Sequence, residues 1–410
     1  MSHTVLAPPI IQGEIALPAS KSISNRALIL SAMASNDSSK AALSLSNLAD
    51  CDDTTVMCRA LSTSSNTIDI GAAGTSMRFL TAYLAGLNGE WEITGSERMK
   101  NRPIRVLVDA LRSLGASIDY TEKEGYPPLR IQGHKLKGGS IEVDGGISSQ
   151  YLSALMMAAP LMEEGLDLHI KGELISKPYF RMTLSMMKAW GAEAEWDYSR
   201  VQIKPQTYKP LDFTVESDWS AASYWYEILS LAEGGEVFLE GLCENSLQGD
   251  IRIAEWFESL GIHSSFEQKG VRLTRIPVSI DRFEADLSDQ PDLAQTLAVT
   301  CLLKNIPFCM TGLQSLKIKE TDRLKALIDE SAKLGFVLTS SQDSILEWTG
   351  QTRSMYAAPI DTYDDHRMAM AFAPVAVAYG IVRINNPEVV SKSYPNFWND
   401  LQKCGFQLEK

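Results

Sequence analysis

Six times along the chain a short polar or charged turn runs straight into a helix-length stretch of almost wholly apolar residues. The first turn is Pro18-Ala19-Ser20-Lys21-Ser22-Ile23-Ser24-Asn25-Arg26, and the apolar stretch spans 27–34. The others begin at Gly71-Ala72-Ala73-Gly74-Thr75-Ser76-Met77-Arg78, Ser148-Ser149-Gln150, Asp218-Trp219-Ser220, Asp289-Gln290-Pro291-Asp292 and Asp364-Asp365-His366-Arg367. A helix that is apolar on all sides has to be buried. Its first turn still carries unpaired N–H groups and a partial positive charge. Lys, Arg, Ser or Thr at such an end makes an anion site.

Around each apolar helix the pattern repeats. A polar turn and buried helix lead to a strand, a basic loop, an amphipathic helix, a glycine stop and further strand. In one unit the helix falls near 79–87, the strand at 90–94, the loop at 96–102 and the stop at Leu114-Gly115. In the next they fall at 152–162, 167–171, Ile175-Ser176-Lys177-Pro178-Tyr179 and Trp190-Gly191. Later stops are Leu260-Gly261, Leu334-Gly335 and Cys404-Gly405, so the glycines recur every 70 to 76 residues. Each suits the left-handed position that ends a helix. The unit around Asp52-Asp53-Thr54 lacks the stop and is the most divergent. Six units in 410 residues predict about two domains of three units each. The fold class is α/β, each domain burying three helices behind small sheets, with a crossover near Ser217-Asp218.

Composition narrows the partners. A formal net charge of −13 argues against nucleic acid or an anionic membrane. It leaves room for small anions, because the basic residues cluster in the turns. No apolar run reaches the roughly 18 residues needed to span a bilayer, and Met1-Ser2-His3-Thr4 does not begin a signal peptide. The six cysteines, Cys51, Cys58, Cys243, Cys301, Cys309 and Cys404, have neither disulfide nor metal spacing. Cys301 and Cys309 read as buried thiols. A reducing cytoplasm is expected, and no metal or other cofactor.

The individual motifs admit two readings. Ser22 and Arg26 share a helical face, as a capped, solvated turn or as an anion site. Gly71 to Ser76 is a strand-to-helix turn or a phosphate cradle, without the Gly-Lys-Thr end of a P-loop. Lys319-Glu320-Thr321-Asp322-Arg323 is a capping box on a solvated helix or a charged site, with Lys319 and Arg323 on one face. His366, beside Arg367 at the start of a buried helix, is structural or functional.

Taken together, Pro18 to Ala27, Ala73-Gly74-Thr75-Ser76-Met77-Arg78, Arg98-Met99-Lys100-Asn101-Arg102-Pro103, Ser148-Ser149-Gln150, Ser176-Lys177-Pro178-Tyr179, Lys319 to Arg323 and Asp365-His366-Arg367-Met368-Ala369 resemble, in this order, the 5-enolpyruvylshikimate-3-phosphate synthase family. The resemblance runs over essentially the whole chain. It implies the enolpyruvyl transferase fold, an inside-out α/β barrel of two similar domains, each of three βαβαββ-type units, closing on a cleft. One domain would be 1–19 plus 218–410, the other the inserted 20–217. The implied reaction moves the enolpyruvyl group of phosphoenolpyruvate to the 5-hydroxyl of shikimate 3-phosphate and releases phosphate, on the route to chorismate. A monomer is expected, with small anionic substrates as its partners.

By the same resemblance, shikimate 3-phosphate would be held by Lys21, Ser22, Arg26, Ser148, Ser149, Gln150, Ser176, Asp292 and Lys319. Phosphoenolpyruvate would be held by Lys21, Gly74, Arg98, Gln150, Arg323, Arg367 and Lys392. Asp292 would be the base for the 5-hydroxyl, Glu320 the acid for the methylene carbon, and Lys21 would stabilise developing charge. A Cβ on Gly74 would project toward the bound anion. Without ligand the gathered cations are expected to repel one another. The family often has Asn where Ala72 stands, Pro or Leu at Phe79 and Asn at Ser315. Two other readings stay in view. A sister transferase acting on a UDP-sugar would carry a reactive Cys in the loop near Ser96-Glu97-Arg98, which has none. A non-catalytic anion-binding relative would lack Asp292, Glu320 or Lys21.

Overall fold

The repeat is written in the strand pairing. A computed structural model describes residues 2–35, 44–146, 148–356 and 358–409. The chain divides into two compact units, Ser20–Val215 and Met1–Ala19 with Glu216–Lys410.

The unit Ser20–Val215 contains α1 (Lys21–Ala34), α2 (Asp52–Ser62), α3 (Gly74–Ala85), α4 (Glu97–Lys100), α5 (Arg105–Ser113), α6 (Ser149–Ala158) and α7 (Lys177–Ala189). Strand Thr67–Asp69 crosses over through α3 to pair in parallel with Gly89–Thr94. After α5, the hairpin of Ser117–Tyr120 and Leu129–Gly133 adds antiparallel to Gly89–Thr94 through its second strand. The next repeat does the same: Gly139–Asp144 pairs in parallel with Leu166–Lys171 across α6, and Arg200–Ile203 and Glu195–Trp196 follow α7. Among the described residues the divergent first repeat keeps a two-stranded parallel pair, Leu45–Ser46 with Phe213–Thr214.

The other unit repeats the βαβαββ order. It holds α8 (Trp219–Leu231), α9 (Ile253–Leu260), α10 (Ala294–Leu303), α11 (Arg323–Lys333), α12 (His366–Phe372), α13 (Val375–Tyr379) and α14 (Phe397–Lys403). Strand Ile10–Ala16 pairs in parallel with Gly234–Glu240, although 20–215 lie between them in sequence. Phe283–Asp286 pairs in parallel with Phe308–Thr311 across α10. In the last repeat Ser2–Leu6 lies between Ile381–Asn385 and Gln407–Glu409, so the start of the chain completes the sheet at its end.

The apolar helices are buried as their composition requires. In α10 every residue from Ala294 to Leu302 is buried, and α8 buries Trp219, Tyr224, Trp225 and Tyr226. Each large apolar side chain removed from water contributes about 1.5–3 kcal/mol, and truncating one, as in Leu297→Ala, costs about 2–5 kcal/mol. The amphipathic helices bury one stripe only; α5 buries Leu107, Val108, Ala110 and Leu111. The stop glycines Gly115, Gly191, Gly261, Gly335 and Gly405 all have left-handed φ, between 85° and 104°, where a Cβ is penalised.

Cys301 is buried, as expected, but Cys309 is only half-buried. Its strand alternates, and Phe308 and Met310 take the core face. Among the described residues no helix is long and apolar enough to cross a membrane.

Candidate active site

Within Ser20–Val215 the polar helix ends meet. Lys21 opens α1, with its Nζ 3.4 Å from Asp53 Oδ2 in the first turn of α2. Gly74 and Thr75 open α3, and Gln150 of α6 donates to Thr75 Oγ1 at 3.1 Å. Ser148 caps α6 by accepting from the Gln150 amide, and Ser149 is its first helical residue. Neither Ser20 nor Ala73 caps its helix with a side chain. The starts of α1 and α3 therefore keep the character of anion sites. Ser176, before α7, is held at a left-handed φ of 55°, an uncommon conformation for a residue with a Cβ.

Arg26 is not a solvated cation. It is buried; Nε donates to Thr183 Oγ1 at 2.8 Å, Nη2 to Ser153 Oγ at 3.0 Å and Nη1 to the Ser22 carbonyl at 3.0 Å. Its guanidinium also lies 5.3 Å from the Phe79 ring centre and 5.9 Å from that of Tyr179. Burial pushes its pKa down to about 10, partly opposed by Tyr179. Arg26 thus joins α1 to α6 and α7, and three of its donors are spent inside the protein.

The resemblance implies Arg98 as a phosphoenolpyruvate ligand; the residue is exposed on α4. The buried arginine beside that helix is Arg102. A Cβ built on Gly74 would lie 2.7 Å from Arg102 Nη1, and Arg102 Nε has no hydrogen-bond partner among the described residues. The signal was Pro103. The residue before a proline is driven out of helical conformation, which puts Arg102 in the turn beyond the helix.

In the other unit the charges condense into one network. Arg323 donates from Nε to Asp365 Oδ2 at 2.6 Å, from Nη1 to Asp292 Oδ1 at 2.8 Å and from Nη2 to Glu320 Oε2 at 2.9 Å. Arg367 Nη2 donates to Asp292 Oδ2 at 2.9 Å. Lys319 Nζ lies 3.7 Å from Asp292 Oδ1, and Lys392 Nζ 3.0 Å from Glu320 Oε1. The expected repulsion among these cations is therefore offset in this unit, because Asp292, Glu320 and Asp365 stand between them, though Arg367 still opposes the charge of Arg323. The helical reading of Lys319 to Arg323 is also corrected. Helix α11 starts only at Arg323, capped by Asp322, which accepts from the Lys325 amide. Lys319 and Glu320 precede the helix, and Lys325 stands where a capping box needs Glu or Gln.

The arginine fork sets the electrostatics. One planar guanidinium bridges Asp292 and Glu320 and anchors both to the buried Asp365, a geometry suited to Arg and not to Lys. Burial alone would raise the Asp292 pKa, but Arg367, Lys319 and Arg323 outweigh it and hold the carboxyl well below its ordinary range. Burial likewise opposes the charge of Arg323, and Asp365, Glu320 and Asp292 more than restore it. Asp365 was missed as a site residue because its role depends on a partner 42 residues away. His366 is buried, with Nδ1 3.7 Å from Asp365 Oδ1. Among the described residues no cluster of His, Cys, Asp and Glu could hold a metal ion.

Such a site can grip anions with several cations while holding two carboxylates among them. Comparison with known proteins assigns it to a family. The profile of EPSP synthase (3-phosphoshikimate 1-carboxyvinyltransferase) matches residues 6–69 and 60–401. A 3-phosphoshikimate 1-carboxyvinyltransferase of Bacteroides fragilis (strain YCH46) is 53% identical over 411 residues, covering 100% of this chain and 99% of the relative. That of Vibrio cholerae serotype O1 (strain M66-2) is 40% identical over 429 residues, covering 97% and 98%. A solved EPSP synthase from Acinetobacter baumannii shares the fold at a TM-score of 0.78, with 21% identity and full coverage of both chains. The two-unit α/β architecture is therefore the enolpyruvyl transferase fold, and the chain belongs to the EPSP synthase family.

Proposed function

We propose that this chain transfers the enolpyruvyl group of phosphoenolpyruvate to the 5-hydroxyl of shikimate 3-phosphate, giving 5-enolpyruvylshikimate 3-phosphate and phosphate. The observation that carries this reading is the Arg323 fork between Asp292 and Glu320, flanked by Arg367, Lys319 and Lys392. It offers two carboxylates for proton transfer and cations for two phosphates and two carboxylates.

Shikimate 3-phosphate is assigned to Lys21, Ser22, Arg26, Ser148, Ser149, Gln150, Ser176, Asp292 and Lys319. Phosphoenolpyruvate is assigned to Lys21, Gly74 and Gln150 with Arg323, Arg367 and Lys392. Arg102 replaces Arg98 in this set, because its guanidinium faces the start of α3.

Asp292 accepts the 5-hydroxyl proton as that oxygen attacks C2 of phosphoenolpyruvate. Glu320 supplies a proton to the methylene carbon, making it a methyl group. Loss of phosphate, together with return of one methyl proton to the Glu320 carboxylate, restores the double bond in the product. In the ligand-free site three cations face Asp292 and make it a weak base. An incoming anion that draws Arg367 away removes one of them and raises the basicity of Asp292. The Lys392 ammonium stands 3.0 Å from Glu320 Oε1. Lys21 stabilises the charge that develops as phosphate departs.

The UDP-sugar reading gains no support from residues near α4, which carry no cysteine. Supplying phosphoenolpyruvate with either shikimate 3-phosphate or UDP-N-acetylglucosamine tests the assignment. A vinyl ether product is expected from the first acceptor only, and product from the UDP-sugar alone would overturn it.

A further inference from the structure

Behind Arg367 lies an acid that the proposed chemistry leaves unused. Asp250 stands in the 3-10 turn Gly249–Arg252 that leads into α9, and it is buried. Its Oδ2 accepts from the hydroxyl of Ser220, in the first turn of α8. Its Oδ1 has no hydrogen-bond partner among the described residues. Buried carboxyl oxygens are almost always satisfied, and an exception points to a use.

The link to the site runs through Ser220. Its Oγ lies 3.4 Å from Arg367 Nη2, the nitrogen that also donates to Asp292 Oδ2 at 2.9 Å. Ser220 gives its proton to Asp250, so an oxygen lone pair is left for the guanidinium. The Arg367 guanidinium therefore touches the Asp292 carboxyl directly and reaches that of Asp250 through one hydroxyl.

The charged groups facing Asp250 are Asp292 before α10, Arg367 on α12 and Asp218 at the start of α8. Arg252, on its own turn, leans over Trp256 and pairs with Glu255 at the surface. Burial, and then Asp292, push the Asp250 carboxyl up to about 7, against the pull of Arg367 and the Ser220 bond. The group is thus poised to change charge near neutral pH.

We propose that Asp250 is a positioning residue for Arg367, setting through Ser220 the place and the effective charge of that guanidinium. The inference rests on the reading of Arg367 as a phosphoenolpyruvate ligand. Neutral Asp250 leaves Arg367 its full charge for the incoming anion. Ionised Asp250 adds a negative charge behind it, and phosphoenolpyruvate binds less well. Recognition of this substrate falls as pH rises through neutrality, for a reason built into the protein.

The test is the KM for phosphoenolpyruvate at saturating shikimate 3-phosphate, from about pH 6 to about pH 9, in the full chain and in Asp250→Asn, Ser220→Ala and Arg367→Ala. In the parent, KM should rise about fivefold or more across this range. In Asp250→Asn, neutral throughout, that rise should vanish while the KM for shikimate 3-phosphate is unchanged. In Ser220→Ala, which removes the linking hydroxyl, the rise should shrink, and what remains should move to higher pH, because a bond favouring ionised Asp250 is lost. A merely structural role would lower thermal stability and leave the profile in place. An Asp250→Asn profile that superimposes on the parent's overturns the proposal. Should that variant fail to fold, a superimposable Ser220→Ala profile overturns it equally. Arg367→Ala separates the two claims. If it leaves the KM for phosphoenolpyruvate unchanged, the reading of Arg367 fails; if it raises that KM while Asp250→Asn behaves as the parent, Asp250 alone is refuted.

Discussion

Arg367 and Asp292 are bonded to each other, Nη2 to Oδ2 at 2.9 Å. The cation assigned to phosphoenolpyruvate and the carboxylate assigned as base therefore neutralise one another before any ligand arrives. On the proposed assignment, substrate binding exchanges this pair for new ones and leaves Asp292 with Arg323 and Lys319 beside it.

If Asp292 is the base, replacing it with Asn should harm turnover more than recognition. Asp292→Asn is expected to lower kcat by about 10²-fold or more, in line with the loss of a general base. Shikimate 3-phosphate should still bind, as read by calorimetry. Near-normal turnover in this variant would remove Asp292 from the mechanism.

Arg323 makes a different prediction, because it is fully buried and serves three carboxylates. Removing one partner of a buried ion pair leaves the others uncompensated, at a cost of about 3–5 kcal/mol. Arg323→Ala should lose this much stability at neutral pH in denaturant titrations. The pH dependence follows from Asp292, whose folded pKa is depressed below the ordinary 3.8. Its contribution is present above 3.8 and is lost as pH falls through the folded value. The gap between parent and variant should therefore narrow in acid. A gap that widens there would contradict the assignment.

Much of this fold was legible in the sequence. All-apolar helices have only one place to go, and the glycine stops at Gly115, Gly191, Gly261, Gly335 and Gly405 marked the repeat because each needs a left-handed φ. The strand Ser2–Leu6 completing the last sheet was not legible, because its partners lie at the far end of the chain. The site was legible as residue types and not as pairings. Lys319 to Arg323 read as one helical face because local periodicity was the only guide. In the folded chain Asp322 starts the helix and Asp292 and Asp365, both distant in sequence, claim the arginine. The burial of Arg102, as against the exposure of Arg98, cannot be read from a basic loop.

Gly74 tests the placement of Arg102. A Cβ at this position would meet the guanidinium at 2.7 Å, so Gly74→Ala has to displace the end of a flexible side chain and not the backbone. The KM for phosphoenolpyruvate should rise while that for shikimate 3-phosphate holds. A bulkier phosphoenolpyruvate analogue should lose more affinity than the substrate. If the ratio of inhibitor constant to KM is the same in parent and variant, Gly74 and Arg102 do not line that pocket.

The most direct test of the whole account is release of inorganic phosphate from phosphoenolpyruvate, followed continuously with each substrate alone and with both together. The account predicts release only when shikimate 3-phosphate is present, one phosphate for each enolpyruvyl product. It also predicts that Glu320→Gln and Asp292→Asn each slow the release by about 10²-fold or more. Release without shikimate 3-phosphate, or undiminished release in both variants, would contradict it.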